Sequence, residues 1–325
     1  MNSVLIIGLG SIAKRHIANI KILFPKATIV VVSSSGRKPT QDLGPVVFCK
    51  NISQALTYSP NFAIIASPAT FHYLHAKVML EAKIPVLIEK PITANLDEAI
   101  QLLNLAQEKQ VPIKIGYCLP YLPSAKIIKN LLSEHKIGSI YNVHAHVGQY
   151  LPNWRQDKNY KDSVSASAHL GGGALLELSH ELDYLHWLLG PLKYNFSVLR
   201  RTQELALDVE EIADILLTNE QGTVCSVHLN FIQKNTQRYC YFIGEKGDLH
   251  WDLITNTIHF YSEQGREVLY NESSWDKNNM YLLMIESFVE QINQKKMGEE
   301  PLMNACETIR LIDQIKKEAI WGTIQ

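Results

Sequence analysis

The sequence predicts an α/β protein. Its N-terminal third reads as a doubly wound parallel sheet, and the remainder as an α+β domain with a large, mainly antiparallel open sheet. Three observations carry this. Short apolar runs alternate with helix-spaced segments through about the first 120 residues, as expected for strands covered on both faces by helices. Further on, the period changes to two: Cys225, Val227, Leu229 and Phe231 share one face, and Ser226, His228 and Asn230 the other. The turn signals Glu220-Gln221-Gly222, Glu245-Lys246-Gly247 and Glu263-Gln264-Gly265 then separate the strands of this second region.

Residues 3–8 form a first buried strand, followed by a helix from Ser11 to Leu23 through Ile12, Ile17 and Ile20. Strands follow at 27–33, 46–48 and 62–66, then a helix through His75, Val78, Met79 and Ala82. A strand at 85–88, a helix at 96–109 and a strand at 112–117 complete the first domain, residues 1–120. The second domain, 121–325, opens with a helix over 121–135 and a strand over 140–149. Residues 150–171 are irregular, 173–189 form one apolar helix, and helices at 278–295 and 303–320 close the chain.

Composition narrows the function. The 325 residues carry a formal charge of −1, so no global field draws the chain to nucleic acid or an anionic membrane. No apolar run is long enough to span a bilayer, and the N-terminus lacks the basic flank of a signal peptide. The five cysteines are scattered and form no C-x-x-C pair, which points to a reduced, cytoplasmic protein without a zinc site or disulfide framework. His144 and His146 alternate along a strand, but no Cys or carboxylate cluster accompanies them and no metal is expected.

Gly8-Leu9-Gly10-Ser11-Ile12-Ala13 matches G-x-G-x-x-[GA] between the first strand and the first helix. In that position the glycines allow a tight turn and close approach of a pyrophosphate, which the helix N-terminus attracts. A Rossmann domain binding a nicotinamide dinucleotide is therefore expected, with Gly8, Gly10, Ser11 and Ile12 at the phosphates. The end of the second strand reads Ser33-Ser34-Ser35-Gly36-Arg37-Lys38, without a carboxylate. Hydroxyls and cations at Ser33, Ser34 and Arg37 suit a 2′-phosphate, which favours NADP(H) while leaving NAD(H) open.

Three further motifs follow: Ser67-Pro68-Ala69-Thr70-Phe71-His72, Glu89-Lys90-Pro91, and Gly171-Gly172-Gly173 leading to Glu177 and His180, then Asp183 and Trp187-Leu188-Leu189-Gly190. Together with the phosphate loop they make the chain resemble the Gfo/Idh/MocA oxidoreductases, the family of glucose–fructose oxidoreductase and inositol dehydrogenase. The resemblance implies that Lys90 lies between nicotinamide and substrate and that His180 donates or accepts the proton. It also places Ser67, Pro68, His72 and Glu89 beside the cofactor. The family usually has an Asp four residues before the histidine, whereas Glu177 stands three before His180; both spacings share a helix face. Many members have an Arg before an aromatic residue after the sixth strand, whereas this chain reads Cys118-Leu119-Pro120-Tyr121.

Residues 149–173 resemble a subgroup associated with surface-glycan or sialic-acid-like sugar pathways. Trp154, Arg155, Tyr160 and Ser165 offer a flat apolar surface, a cation and hydroxyls to a sugar ring, although Trp154 and Tyr160 could also merely anchor the irregular loop; Tyr121 and His180 are expected at the substrate as well. The expected activity is hydride transfer between nicotinamide and a carbohydrate-like CH–OH/C=O centre (a sugar, amino sugar or nucleotide sugar). The competing reading is a non-catalytic dinucleotide-binding regulator of the same fold. A sheet face left open, with residues 223–231 read as needing cover, predicts a homodimer or homotetramer.

Overall fold

Ser3 to Ile7 has no charged side chain, and all five residues are buried; this strand, β1, is the centre of a parallel sheet. The computed structural model describes residues 1–33, 43–154, 159–297 and 299–324. Around β1 lie β2 (Thr28–Val32), β3 (Val47–Cys49), β4 (Phe62–Ile65), β5 (Val86–Ile88) and β6 (Ile113–Ile115), in the order β3-β2-β1-β4-β5-β6. The intervening helices are α1 (Ser11–Leu23), α2 (Ile52–Leu56), α3 (His72–Glu81) and α4 (Leu96–Lys109). This is the doubly wound arrangement, whose strand order reverses between β1 and β4; ligands of such sheets bind at the carboxyl ends of the strands there.

The chain divides into two compact units, Met1–Cys118 with Asn278–Ile309, and Leu119–Lys277 with Arg310–Gln325. A single cut after residue 120 therefore does not describe it. Helix α8 (Asn279–Asn293) and the first half of α9 (Glu299–Glu318) belong with the parallel sheet. The reason is specific long-range contact. Asn278 Nδ2 donates to Asn19 Oδ1 on α1 at 2.8 Å, and the Phe288 ring meets Phe62 of β4 edge-on at 5.7 Å. Gln291 Nε2 donates to the Ile113 carbonyl at 3.1 Å.

The second unit holds α5 (Pro123–Ser133), β7 (Ile140–Gly148), α6 (Ala174–Glu177), α7 (His180–Leu189) and strands β8 (Leu192–Thr202), β9 (Ile212–Asn219), β10 (Val224–Asn230), β11 (Gln237–Gly244), β12 (Gly247–Asp252), β13 (Thr257–Ser262), β14 (Gly265–Asn271) and β15 (Ile320–Ile324). These strands form a nine-stranded sheet, β14-β13-β12-β11-β7-β10-β9-β8-β15. It is mainly antiparallel, with two parallel pairs, β7 with β10 and β8 with β15. The β7–β10 pair is possible because the intervening α6, α7, β8 and β9 supply the crossover that parallel strands need. On the covered face Trp251 is fully buried, meets Tyr184 of α7 edge-on at 5.3 Å, and donates its indole N–H to Ser124 Oγ at 2.9 Å.

Two expectations change. The apolar helix over 173–189 is two helices, because the chain turns at Leu178-Ser179. The leucines at 175, 176, 178, 182 and 185 keep helical spacing across that turn, so periodicity does not reveal it. The second concerns residues 223–231. Cys225, Val227, Leu229 and Phe231 are at most 2 % exposed and α6 packs against β10, so the chain itself covers that face.

Candidate functional site

The phosphate loop is built by packing at one glycine and open space at the next. Gly8 follows β1 with φ +127°, and its N–H donates to the Val32 carbonyl at the end of β2. A Cβ at Gly8 would lie 2.3 Å from the Ala66 carbonyl oxygen, so the strand can turn between β2 and β4 only as glycine. Gly10 is the N-cap of α1, and among the described residues beyond its chain neighbours no atom lies within 4 Å of where a Cβ would stand. Among the described residues no side chain caps α1, and its first turn has no acidic residue. At α4, by contrast, Asn95 accepts the Glu98 N–H, and Asp97 and Glu98 occupy the first turn. The amides of α1 at Gly10, Ser11 and Ile12 are thus arranged for an external anion, and the residues present fit a dinucleotide pyrophosphate. Ser33 follows β2; Ser34 and Arg37 lie outside the described residues.

The motifs after β4 and β5 share the carboxyl edge of the sheet with this loop. Ser67 Oγ pairs with His75 Nδ1 at 2.9 Å, and burial lowers His75 to about 4. Pro68 precedes the 3-10 turn Ala69–Phe71 that leads into α3. His72 was expected beside the cofactor, but its side chain is 1 % exposed and both ring nitrogens face main-chain carbonyls, Pro91 at 2.9 Å and Ser67 at 2.8 Å. It ties two loops together and has no ring atom left for a ligand. Glu89, 6 % exposed, likewise faces inward: Oε1 lies 2.6 Å from His16 Nε2, and Oε2 accepts the Lys90 N–H at 3.3 Å. Lys90 stands between Glu89 and Pro91, and its backbone N–H is the donor to Glu89. Its peptide bond to Pro91 is cis.

In the second unit the glycine-rich turn is held by a residue the sequence did not single out. Gly173 has φ +104°, and a Cβ there would lie 2.3 Å from Glu210 Oε1. Glu210 is 3 % exposed; its carboxylate accepts the Leu175 N–H at 3.1 Å and its backbone carbonyl accepts the Ala174 N–H at 2.9 Å. It caps α6 from a distant loop, and burial raises its pKa. No local pattern could have linked residues 36 positions apart. Glu177 is the last residue of α6 and accepts the Ser165 hydroxyl at 3.1 Å. His180 is the first residue of α7, so the shared-helix argument for this pair does not apply. Asp183, one turn along α7, is 4 % exposed, and burial pushes its carboxyl well up.

Among the expected sugar contacts, Tyr121 ends the 3-10 turn Leu119–Tyr121 and is half-buried. Trp154 meets Phe231 edge-on at 5.4 Å, and its buried indole nitrogen has no hydrogen-bond partner among the described residues. Tyr160 donates its hydroxyl to the Leu205 carbonyl at 3.3 Å. Both rings anchor the irregular segment. Arg155 lies outside the described residues. A separate concavity of about 530 Å³ lies on the outer face of the nine-stranded sheet, where His146 stacks between His228 and Tyr239 with centroids 5.0 Å apart on each side. Among the described residues no group of three or more metal-ligating side chains is assembled, and no helix is long and apolar enough to cross a membrane.

Residues 2–117 match the model of an oxidoreductase family with an NAD-binding Rossmann fold, and residues 126–250 match the GFO/IDH/MocA C-terminal domain. The chain belongs to the Gfo/Idh/MocA oxidoreductase family. An uncharacterised oxidoreductase of Synechocystis sp. is 32 % identical over 282 residues, covering 78 % of this chain and 75 % of that one. The dTDP-3,4-didehydro-2,6-dideoxy-α-D-glucose 3-reductase of Saccharopolyspora spinosa is 29 % identical over 163 residues, 49 % of this chain and 46 % of that one. A 3-ketoreductase from Actinomadura kijaniata, solved with NADP and TDP-benzene, superposes with a TM-score of 0.85 at 20 % identity, covering 100 % and 99 % of the two chains. At that identity the likeness is one of fold.

Proposed function

We propose that the protein transfers a hydride between NADP(H) and a ring carbon of a sugar, with nucleotide-linked 3-keto-sugars the first substrates to try. The observation that carries this is the carboxyl edge of the parallel sheet. It presents a helix N-terminus that no side chain among the described residues caps, behind Gly10, and, two strands away, the Glu89-Lys90-Pro91 turn held from beneath by His16 and His72. The Saccharopolyspora protein is a 3-reductase and the Actinomadura protein a 3-ketoreductase, which supports the choice of substrate. The bound dinucleotide supplies the hydride. Lys90 holds or protonates the substrate oxygen, His180 exchanges that proton with solvent, and Glu177 binds a neighbouring hydroxyl. Tyr121, Trp154, Tyr160 and Arg155 contribute contacts to the sugar. Oxidation of NADPH in the presence of a panel of nucleotide-linked and free keto-sugars tests the reading; binding of NADPH with no turnover on any of them would sink it in favour of a regulator.

The cofactor preference has its own expected result. NADPH should bind more tightly than NADH, and Arg37→Ala should weaken NADPH selectively in a fluorescence titration. Equal dissociation constants in the parent protein would contradict it.

The reading also includes a homodimer in the cytoplasm. With residues 223–231 covered, the face available for assembly is the opposite one, which carries Phe196 at 49 % and Leu216 at 39 % exposure beside the stacked histidines. Nine strands about 4.8 Å apart and about 20 Å long offer roughly 850 Å² per partner, the size of a standard interface. Light scattering should give a mass above one chain, and Leu216→Arg should lower it to one. A parent protein that is monomeric at all concentrations would remove the dimer.

A further inference from the structure

Two rows of side chains cross the outer face of the nine-stranded sheet from strand to strand. In one row the register pairs His259 with His250, His250 with Tyr241, and Tyr241 with His144. In the next it pairs Tyr239 with His146, His146 with His228, and His228 with Asp214. Five histidines therefore share one face, and their rings are in contact. His146 stacks on His228, and the His250 centroid lies 5.5 Å from Tyr241 and 6.3 Å from His259. Toward β8 and β15 the same face turns apolar, with Phe196, Leu216 and Ile320 exposed.

Three of these histidines sit where a proton is unwelcome. His146 lies against His228, whose Nδ1 faces Asp214 Oδ1 at 2.6 Å. Asp214 also takes the Arg200 guanidinium from β8, so its charge is already matched. The other neighbours of His146 are Tyr239 and the neutral Gln233 amide at 2.8 Å. At His259, Arg266 Nη2 of β14 lies 3.1 Å from Nε2; a guanidinium can only donate, so it favours a ring with a lone pair to offer. Tyr261 stands beside the same ring. His250 packs among Tyr239, Tyr241 and His259. On its own strand Asp248 is engaged by the Tyr241 hydroxyl, and Asp252 draws a proton toward both His250 and His259. Burial pulls His146, His250 and His259 below the ordinary histidine value. His228 adds to this at the first and Arg266 at the other two, and the opposing pulls of Gln233, Asp214 and Asp252 do not offset it.

We propose that the homodimer is acid-sensitive: a second copy of this chain seats on the histidine rows while His146, His250 and His259 are neutral, and their protonation releases it. This rests on the homodimer proposed above and adds what undoes it. In a twofold interface the same face meets itself, so every ring that takes a proton adds positive charge on both sides of the contact. Covering the rings with a second copy removes water and lowers them further. The dimer then binds fewer protons than two separate chains, and falling pH drives dissociation by mass action. Asp214 does not cancel the effect, because the His228 contact and Arg200 hold it below the usual carboxylate range and it stays charged throughout.

Sedimentation equilibrium from pH 7.5 to 5.5 at constant ionic strength tests this, with far-UV circular dichroism on the same samples. The expected result is a dimer at pH 7.5 whose dissociation constant rises about a hundredfold or more by pH 5.5, with an unchanged spectrum and full recovery on return to pH 7.5. The triple variant His146→Phe, His250→Phe, His259→Phe keeps flat rings and removes the protons, so it should remain dimeric at both pH values. Should it fail to fold, His250→Phe alone should weaken the pH response by about threefold or more, and an unchanged response there overturns the role of that ring. A parent dimer with the same dissociation constant at both pH values overturns the switch and leaves the dimer standing. A parent that is monomeric at pH 7.5 overturns both. Dissociation that persists in the folded triple variant, or loss of the spectrum before dissociation, assigns the acid response to other groups and overturns the proposal.

Discussion

Lys90→Met and His180→Ala are each expected to cut turnover by roughly a hundredfold or more, with NADPH binding within a few-fold of the parent. A hundredfold corresponds to about 2.7 kcal/mol of lost transition-state stabilisation, the scale of removing one positioned acid–base group. Met keeps most of the volume of Lys and removes the ammonium, so the turn held by His72 and Glu89 should survive. If the two residues serve one proton path, the double variant loses less than the product of the single losses. Glu177→Gln should be milder, because Glu177 stands on a separate short helix from His180 and is already engaged by Ser165. Single-turnover rates across pH check all four. Near-parental rates in His180→Ala would make that histidine structural and leave the proton to Lys90 or water.

Gly8→Ala and Gly10→Ala should fail in different ways, although they stand two residues apart. A methyl at Gly8 meets the Ala66 carbonyl at 2.3 Å on the next strand, in a backbone conformation that L residues avoid. Neither strand can move without breaking the sheet, so a loss of about 3 kcal/mol or more is expected, with the melting temperature lowered by about 6–12 °C. A methyl at Gly10 meets nothing among the described residues, and the φ of −69° is ordinary. Its stability should stay within about 0.5 kcal/mol. Its NADPH affinity should fall about tenfold or more, because the methyl fills the approach of the pyrophosphate. Thermal unfolding and dinucleotide titration on the two variants check this. Unchanged binding in Gly10→Ala would mean that the phosphates lie elsewhere.

These contrasts show what the sequence made legible. The parallel sheet could be read because β1, β4 and β5 are buried along their whole length and must be apolar, and each is followed by its own helix. The return of α8 to that sheet could not, since the Asn19–Asn278 pair and the Phe62–Phe288 contact join residues more than 200 positions apart. The G-x-G-x-x-[GA] loop was legible because its chemistry is local. His72 and Glu89 were legible as parts of motifs, but their orientation was not; the structure turns both inward, where they hold the chain. His16 and Glu210 had no signal of their own, because each acts on a segment far away in sequence. The period-two run at 225–231 was read correctly as a strand. Which of its faces remains open depends on where α6 packs, and that is a tertiary fact.

The central claim is hydride transfer from NADPH to a sugar carbonyl, and isotope transfer tests it most directly. NADPH carrying deuterium at the transferable position of nicotinamide C4 is mixed with excess protein and a nucleotide-linked 3-keto-sugar, and the product sugar is examined by mass spectrometry and NMR. One deuterium is expected on ring carbon 3, appearing as NADPH is consumed, with the rate strongly reduced in Lys90→Met. Tight binding of NADPH with no deuterium in any of a panel of keto-sugars would contradict it.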